Sequence, residues 1–170
     1  MPLPGEFLSG AHRGSFSQKD GYLYLVGTDG WQSYARENGS LERIPWTGGK
    51  MALPESVETR KNGLILRFNE SIDPSSLNPK KAFAAQWNYL HSEAYGSPEY
   101  SVRNPGLTGH DPVKIRSLHA LKDGKSVFVE IPQLHPVMQF HLHLDLKAQD
   151  GCAFAPDLYY SIFLQGKEFT

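Results

Sequence analysis

Two-residue alternation of apolar and polar side chains is the feature of this 170-residue sequence that most limits its fold. In segment 140–147, Phe140 is followed at every second position by a leucine, and mostly polar residues lie between them. Successive side chains of a β-strand point to opposite faces, so the pattern places one face in a core. The same period recurs in segments 64–68, 127–131 and 158–164. These segments are therefore predicted to be strands of an antiparallel sheet with one buried face.

Turn-forming residues separate these segments. Asn62-Gly63 and Asp123-Gly124 tolerate the positive φ angles of tight hairpin turns, and each lies between two predicted strands. Asp73-Pro74 predicts a further turn, or one helical turn that starts with proline. Short strands with a turn about every ten residues are typical of a sandwich, so the predicted fold class is an all-β antiparallel β-sandwich.

A change of composition at residues 46–50 marks a predicted domain boundary. Segments 21–27 and 41–46 before it are predicted strands that form an N-terminal β extension. The predicted domains are therefore residues 1–50 and residues 51–170.

The charge and hydropathy patterns exclude several classes of partner. The chain has 17 basic and 18 acidic residues and no basic cluster beyond pairs such as Lys80-Lys81, so nucleic-acid binding is not expected. No apolar run reaches the ~20 residues of a membrane-spanning helix. The first residues lack the basic start and apolar stretch of a signal peptide. Cys152 is the single cysteine, which excludes an internal disulfide.

The sequence contains no self-sufficient catalytic motif. It has no nucleophile elbow, P-loop, dinucleotide fingerprint or His-Glu-x-x-His. It also lacks the Cys-x-x-Cys-His motif that attaches c-type haem. The chain alone is therefore not expected to be an enzyme or to hold an organic cofactor.

Three histidines are the sharpest candidates for metal chemistry. His141 and His143 lie two positions apart on a predicted strand, so they share one face about 7 Å apart along the backbone. Together with His135 they predict a Cu or Zn site, because imidazoles are ligands of both metals. The alternative is that the pair only covers a solvated sheet face.

A second candidate site combines aromatic and charged side chains around the loop at 96–112. Aromatic faces beside carboxylates are typical of sugar-binding sites and protein interfaces. The alternative is that the aromatic residues pack the loop onto the sandwich, and nothing in the sequence sets the carboxylate separation that a glycosidase needs. The candidate residues are Trp87, Tyr89, Glu93, Tyr95, Glu99, Tyr100 and Arg103.

Segment 68–77, Phe-Asn-Glu-Ser-Ile-Asp-Pro-Ser-Ser-Leu, resembles the F-(S/N)-E-x-(V/I)-D-P signature of bacterial Ig-like domains. Further segments resemble the C-terminal region of large secreted proteins of planctomycete-type bacteria, of the glucose/sorbosone dehydrogenase or haem-binding multidomain type. These segments are 6–14, 30–32, 41–44 with 46–48, 86–89, 93–101 and 136–139.

The resemblance implies that residues 1–50 are the last strands of a β-propeller and that residues 51–170 are an Ig-like β-sandwich. It implies an extracytoplasmic parent protein whose neighbouring domains are the partners of this chain. The function expected is a non-catalytic accessory domain for domain packing or for binding a partner or carbohydrate. The alternatives are a copper- or zinc-binding sandwich that uses His141 and His143, and part of a sugar dehydrogenase-type oxidoreductase.

Segment 79–95 gives conflicting signals. Its residues favour a helix of about four turns. In Ig-like domains of the type it resembles, the Asp-Pro-Ser turn is followed by a strand. Residues 83–89 are therefore predicted to be extended, because tertiary context can override a weak helical preference.

Overall fold

The computed structural model of the chain describes residues 7–30, 35–45, 48, 51–91, 93 and 96–170. The chain divides into two compact units, Pro2–Met51 and Ala52–Thr170. Within the described ranges the regular secondary structure is β-strand, and the only helical turns are the 3-10 turns Pro74–Ser76 and Pro79–Lys81. The all-β prediction is confirmed.

The N-terminal unit is a three-stranded antiparallel sheet in the order β1-β2-β3. Its strands are β1 Gly10–Phe16, β2 Leu23–Thr28 and β3 Gly39–Ile44. Two of its large apolar side chains are strongly exposed, Phe16 at 73% and Leu41 at 70%. The predicted N-terminal β extension is thus present, and it leaves apolar surface uncovered.

The C-terminal unit contains two larger sheets and a short hairpin, all antiparallel. Its strands are β4 Pro54–Arg60, β5 Gly63–Phe68, β6 Phe83–Tyr89, β7 Glu99–Tyr100, β8 Asp111–Pro112, β9 Ser117–Ala120, β10 Ser126–Glu130, β11 Val137–His143, β12 Leu146–Lys147, β13 Ala153–Phe154 and β14 Asp157–Ile162. The first sheet has the order β4-β5-β10-β9, and the second has the order β14-β11-β6-β7 with β8 also paired to β6.

This order is that of an immunoglobulin-like sandwich. If the seven main strands β4, β5, β6, β9, β10, β11 and β14 are lettered A to G, the sheets read A-B-E-D and G-F-C. Constant-type Ig domains have the same arrangement. The predicted antiparallel Ig-like sandwich is confirmed.

The core lies between the two sheets and follows the alternation. Leu64 and Leu66 of β5 face Phe140 and Leu142 of β11, and all four side chains are fully buried. Burial of such side chains contributes about 1.5–3 kcal/mol each. The alternation predicted for segment 158–164 is wrong at its C-terminal end, because Leu164 follows the last strand and is 86% exposed.

Strand β6 confirms the extended prediction for residues 83–89. It pairs with β11 over five registered positions, from Gln139 opposite Trp87 to His143 opposite Phe83. On its other side it pairs with the short strands β7 and β8. Hydrogen bonding on both sides therefore outweighs the helix-forming composition of this segment.

Candidate functional site

The structure separates the three predicted metal-binding histidines. His141 and His143 lie on the outward face of β11, whereas His135 lies before this strand and lines a cavity. In the described ranges, no group of three or more His, Cys, Asp or Glu side chains is placed to hold a metal ion.

His141 and His143 converge on one carboxylate. The Nε2 atom of His141 lies 2.7 Å from Oδ1 of Asp157, and Nδ1 of His143 lies 3.1 Å from the same oxygen. The hydrogen bond from His141 is the main cause of the lowered pKa of Asp157. The ring of His141 also stacks on Tyr159, with centroids 4.2 Å apart. The cluster is a hydrogen-bonded patch on the sheet surface.

The aromatic residues of the second candidate site mostly hold the long loop against β6. Trp87 is buried at 5% exposure and stacks on His110, with ring centroids 3.9 Å apart. The His110 ring in turn pairs with Glu99. The indole Nε1 of Trp87 donates a hydrogen bond to the Tyr89 hydroxyl at 3.2 Å. These contacts agree with the packing interpretation for this part of the predicted site.

The remaining members of that site are dispersed. Tyr100 is half-buried and forms a bridge with Thr108, and Glu93 is exposed. Tyr95 lies outside the described residues. Arg103 lines the same cavity as His135. One residue of the predicted metal site, His135, and one residue of the predicted loop site, Arg103, therefore line a common cavity.

Asp111 fixes the conformation of the loop that carries Arg103. Its carboxylate accepts hydrogen bonds from the Ser101 hydroxyl and the Arg103 backbone N–H, both at 2.8 Å. Burial of this side chain, at 7% exposure, opposes ionisation, but these hydrogen bonds outweigh it and lower the pKa of Asp111. The Ser101 hydroxyl also accepts from the Asn104 N–H at 2.9 Å.

The cavity has a volume of about 510 Å³ and lies at one edge of the sandwich. Such a volume falls within the range of about 300–1,000 Å³ that is usual for small-molecule sites. Its walls come from β6, the loop at 101–111, the segment between β8 and β9, and the connection from β10 to β11. The lining residues are Gln86, Arg103, Val113, Lys114, Arg116, Pro132, Gln133 and His135.

The charged side chains in the lining are all basic. Arg103 donates from Nη2 to the Pro112 carbonyl at 2.8 Å, which holds its guanidinium in place. Arg116 forms an ion pair with Glu130 at 2.8 Å, so its charge is compensated within the protein. Lys114 is exposed and forms no ion pair with another described residue. The cavity therefore keeps a positive excess that suits an anion.

The inner wall carries Gln86 and His135. Nδ1 of His135 lies 3.0 Å from the Gln133 carbonyl oxygen, so in the neutral ring Nδ1 carries the proton and Nε2 is an acceptor. Gln86 directs its amide nitrogen at this Nε2 across 3.5 Å. Gln86 is 2% exposed, and its buried Oε1 has no hydrogen-bond partner. Oε1 is thus enclosed by protein atoms and has no accessible surface toward the cavity.

Sequence reasoning identified Arg103 and His135 but missed the other six lining residues, among them Gln86, Lys114 and Arg116. Gln86 gives no sequence signal, because a glutamine in a strand is unremarkable. Lys114 and Arg116 have a weak signal, since they alternate with Val113 and Ile115, which pack against the core. That alternation predicts that both cations share one face, but not what lies opposite.

The fold and the cavity together define an Ig-like sandwich with a small cationic cavity at one edge. Neither a protein-family model, nor a curated protein, nor a solved structure matches the chain. None of the helical turns in the described ranges is long and apolar enough to cross a membrane.

Proposed function

We propose that this chain is a non-catalytic, Ig-like accessory domain that binds a small anionic ligand in the cavity at the edge of the sandwich. The observation that carries the proposal is the lining itself, in which Arg103, Lys114 and Arg116 are the charged residues around a space of about 510 Å³, and Arg116 is ion-paired with Glu130 outside the lining. A carboxylate or sulfate group placed among them replaces solvent counterions and compensates the unpaired charge of Lys114.

The described lining suits binding more than turnover. It presents guanidinium, ammonium, amide and imidazole groups, whereas hydroxyl, thiol and carboxylate groups are not among its side chains. A covalent mechanism requires a nucleophile beside a base, and an acid–base hydrolysis requires a pair of suitably placed groups. The binding role is also in keeping with an accessory domain of a larger protein.

The N-terminal sheet supports a second part of the proposal, which is packing against neighbouring domains. Phe16 and Leu41 expose most of their apolar surface on this small sheet. Exposed apolar side chains on a sheet of three strands favour burial against another element. A secreted bacterial parent of the sugar dehydrogenase type rests on the sequence resemblance, and the gene context of the parent tests it.

The anion-binding proposal is tested by titrating ¹⁵N-labelled protein with sodium D-glucuronate and following the amide shifts. We expect the shifts to concentrate at residues 101–116 and 132–135. Lys114→Glu should weaken binding by about fivefold or more, which corresponds to about 1 kcal/mol for an exposed charge contact. Lys122→Glu is the matched control, because this exposed lysine lies outside the lining. Absence of localised shifts up to tens of millimolar would refute the proposal.

A second candidate function is binding of Cu or Zn by His141 and His143. The observation that favours it is that both imidazoles lie within hydrogen-bond distance of Asp157, whose carboxylate is an oxygen donor of the kind that zinc binds, although the three side chains are hydrogen-bonded to one another and are not arranged around a common metal position. A metal would have to displace the two shared hydrogen bonds. Titration with Zn(II) and Cu(II) tests this function. If the wild type does not bind either metal at micromolar concentration, or if His143→Ala binds it equally well, this function is eliminated.

A further inference from the structure

We propose that anion binding in the cavity is coupled to proton uptake at His135, so that the site binds its ligand more tightly as the pH falls from about 8 to about 5.5. This inference rests on the proposed anion-binding function and names the regulation of that site. Among the residues of the described lining, His135 is the one whose side chain changes its charge in this pH range.

The first argument is the charge around the imidazole. The other charged side chains of the lining are Arg103, from the loop between β7 and β8, and Lys114 and Arg116, from the segment between β8 and β9. Arg116 is compensated by Glu130 of β10, so Arg103 and Lys114 supply the positive excess. An anion bound beside these two cations also attracts a positive charge on His135, so it favours the imidazolium form over the neutral ring.

The second argument is that both ring nitrogens of His135 have a partner in either form. In the neutral ring, Nδ1–H donates to the Gln133 carbonyl oxygen at 3.0 Å, and Nε2 faces the amide nitrogen of Gln86 at 3.5 Å. In the imidazolium form both nitrogens are donors. A half-turn of the Gln86 amide then places Oε1 beside Nε2–H and gives this oxygen a hydrogen-bond partner.

This half-turn requires no other rearrangement of the wall. The oxygen and nitrogen of the amide exchange places, so one amide atom is enclosed in either orientation. The contact of 3.5 Å in the neutral form is long for a hydrogen bond, whereas the bond from the imidazolium is charge-assisted and therefore stronger. The wall thus accommodates His135 with or without the second proton.

The third argument is thermodynamic reciprocity. If the anion favours the imidazolium form, protonation of His135 strengthens anion binding by the same factor, because the two equilibria form one cycle. The added charge is comparable to one exposed charge contact. We therefore expect the affinity to change about fivefold over the titration of the ring, or ~1 kcal/mol.

A second histidine is linked to the charged lining and has to be tested separately. Nε2 of His119 lies 2.8 Å from the Ser117 hydroxyl, which donates to Glu130, the ion-pair partner of Arg116. His119 is not part of the lining, so its protonation would act on the anion only through this chain. His135 lines the cavity itself.

The experiment measures the affinities for sodium sulfate and sodium D-glucuronate at about pH 8 and about pH 5.5, with ionic strength held constant by sodium chloride. NMR titration of ¹⁵N-labelled protein follows binding at the lining. Both anions keep their charge between these pH values, so a change in affinity reports on the protein. Calorimetry in two buffers of different ionisation enthalpy measures the protons taken up on binding.

Three variants separate the histidines. His135→Asn cannot be protonated in this range and keeps a side-chain N–H for the Gln133 carbonyl. His119→Asn tests the chain through Glu130. His91→Asn is the matched control, an exposed histidine outside the lining. Melting temperatures show that the variants are folded. If His135→Asn does not fold, His135→Gln and the ring ¹⁵N shifts of His135 in the wild type, with and without sulfate, provide the same test.

We expect the wild type to bind both anions about fivefold more tightly at the lower pH and to take up protons on binding. His135→Asn should bind them equally well at both pH values. His119→Asn and His91→Asn should keep the pH dependence of the wild type.

The outcomes separate this inference from the proposed function. If the wild-type affinities are the same at both pH values, or if His135→Asn keeps the pH dependence, the coupling to His135 is wrong and the anion site stands. Loss of the pH dependence in His119→Asn would also overturn the inference, because the coupling would then pass through Glu130 and Arg116. If neither anion binds at the cavity at either pH, the proposed function is wrong and the inference falls with it.

Discussion

Replacement of Asp111 by alanine should destabilise the C-terminal unit and displace Arg103 from the cavity. The carboxylate accepts hydrogen bonds from the Ser101 hydroxyl and from the Arg103 N–H while it is 7% exposed. Hydrogen bonds to a charged group contribute about 1.5–3 kcal/mol each. At the lower value for each of the two bonds, the expected loss of unfolding free energy is about 3 kcal/mol. Asp111→Asn keeps one acceptor oxygen and should lose about half of this.

The effect should depend on pH in a defined direction. Because the pKa of Asp111 is lowered in the folded state, its contribution to stability is complete above the ordinary carboxyl pKa of about 4. As the pH falls through the lowered folded-state pKa, the carboxylate takes up a proton and this contribution disappears. The difference in stability between the wild type and Asp111→Ala should therefore be largest near pH 7 and should shrink below pH 4.

Urea unfolding at pH 7 and pH 3 measures this difference from the midpoint and slope of each transition. Asp145→Ala is the matched control, because this exposed carboxylate makes only a 3.8 Å ion pair with Lys81 and should cost less than ~0.5 kcal/mol. A loss below about 1 kcal/mol for Asp111→Ala at pH 7, or an equal loss at both pH values, would refute the reasoning.

Three further predictions concern other parts of the sandwich. Gly63→Ala should cost about 3 kcal/mol, since the added Cβ would lie 2.1 Å from the Val129 carbonyl oxygen; an unchanged urea midpoint would contradict this. Tyr160→Phe should raise stability by up to ~1 kcal/mol, because it removes a buried hydroxyl that has no hydrogen-bond partner; a loss above 1 kcal/mol in urea unfolding would show that the hydroxyl is satisfied. Asp157→Asn should lower the free energy of unfolding by less than ~1 kcal/mol at pH 7, and the difference should vanish below pH 4 because the pKa of Asp157 is lowered. Thermal melts at both pH values measure the difference. A larger cost would mean that the bond between Asp157 and His141 is stronger than exposed pairs usually are.

Local patterns in the sequence were sufficient to predict most of the longer strands and most of the core, but not β1 or the two-residue strands. The alternation at 64–68 and 140–147 identifies the buried face, because side-chain direction in a strand depends only on position. The Asn62-Gly63 turn likewise follows from residue type, and it joins β4 to β5 as predicted. Strand β6 was predicted from the resemblance and not from local preference, since its residues favour a helix.

The packing of Trp87 and Phe128 depended on distant residues. Phe128 belongs to the outward set of β10, yet it is 4% exposed because Phe169 packs against it at 4.4 Å. The sequence left open whether Trp87 packs the loop or is an exposed surface for a ligand, and in the structure the ring of His110 stacks on it. The sequence of the strand itself does not predict either contact, because His110 and Phe169 come from segments far away in the chain.

The sequence by itself determined which side of each strand faces the core, since alternation is a property of neighbouring residues. Only the tertiary structure decided that Gln86, Arg103, Lys114 and His135 surround one cavity. Their positions span about fifty residues of sequence, and they meet because the strand order A-B-E-D and G-F-C brings the connections between the sheets to a common edge. The physical reason is that the burial of a side chain depends on the hydropathy of nearby residues in the sequence. Which residues form a site depends instead on which distant backbone segments become neighbours when the strands pair.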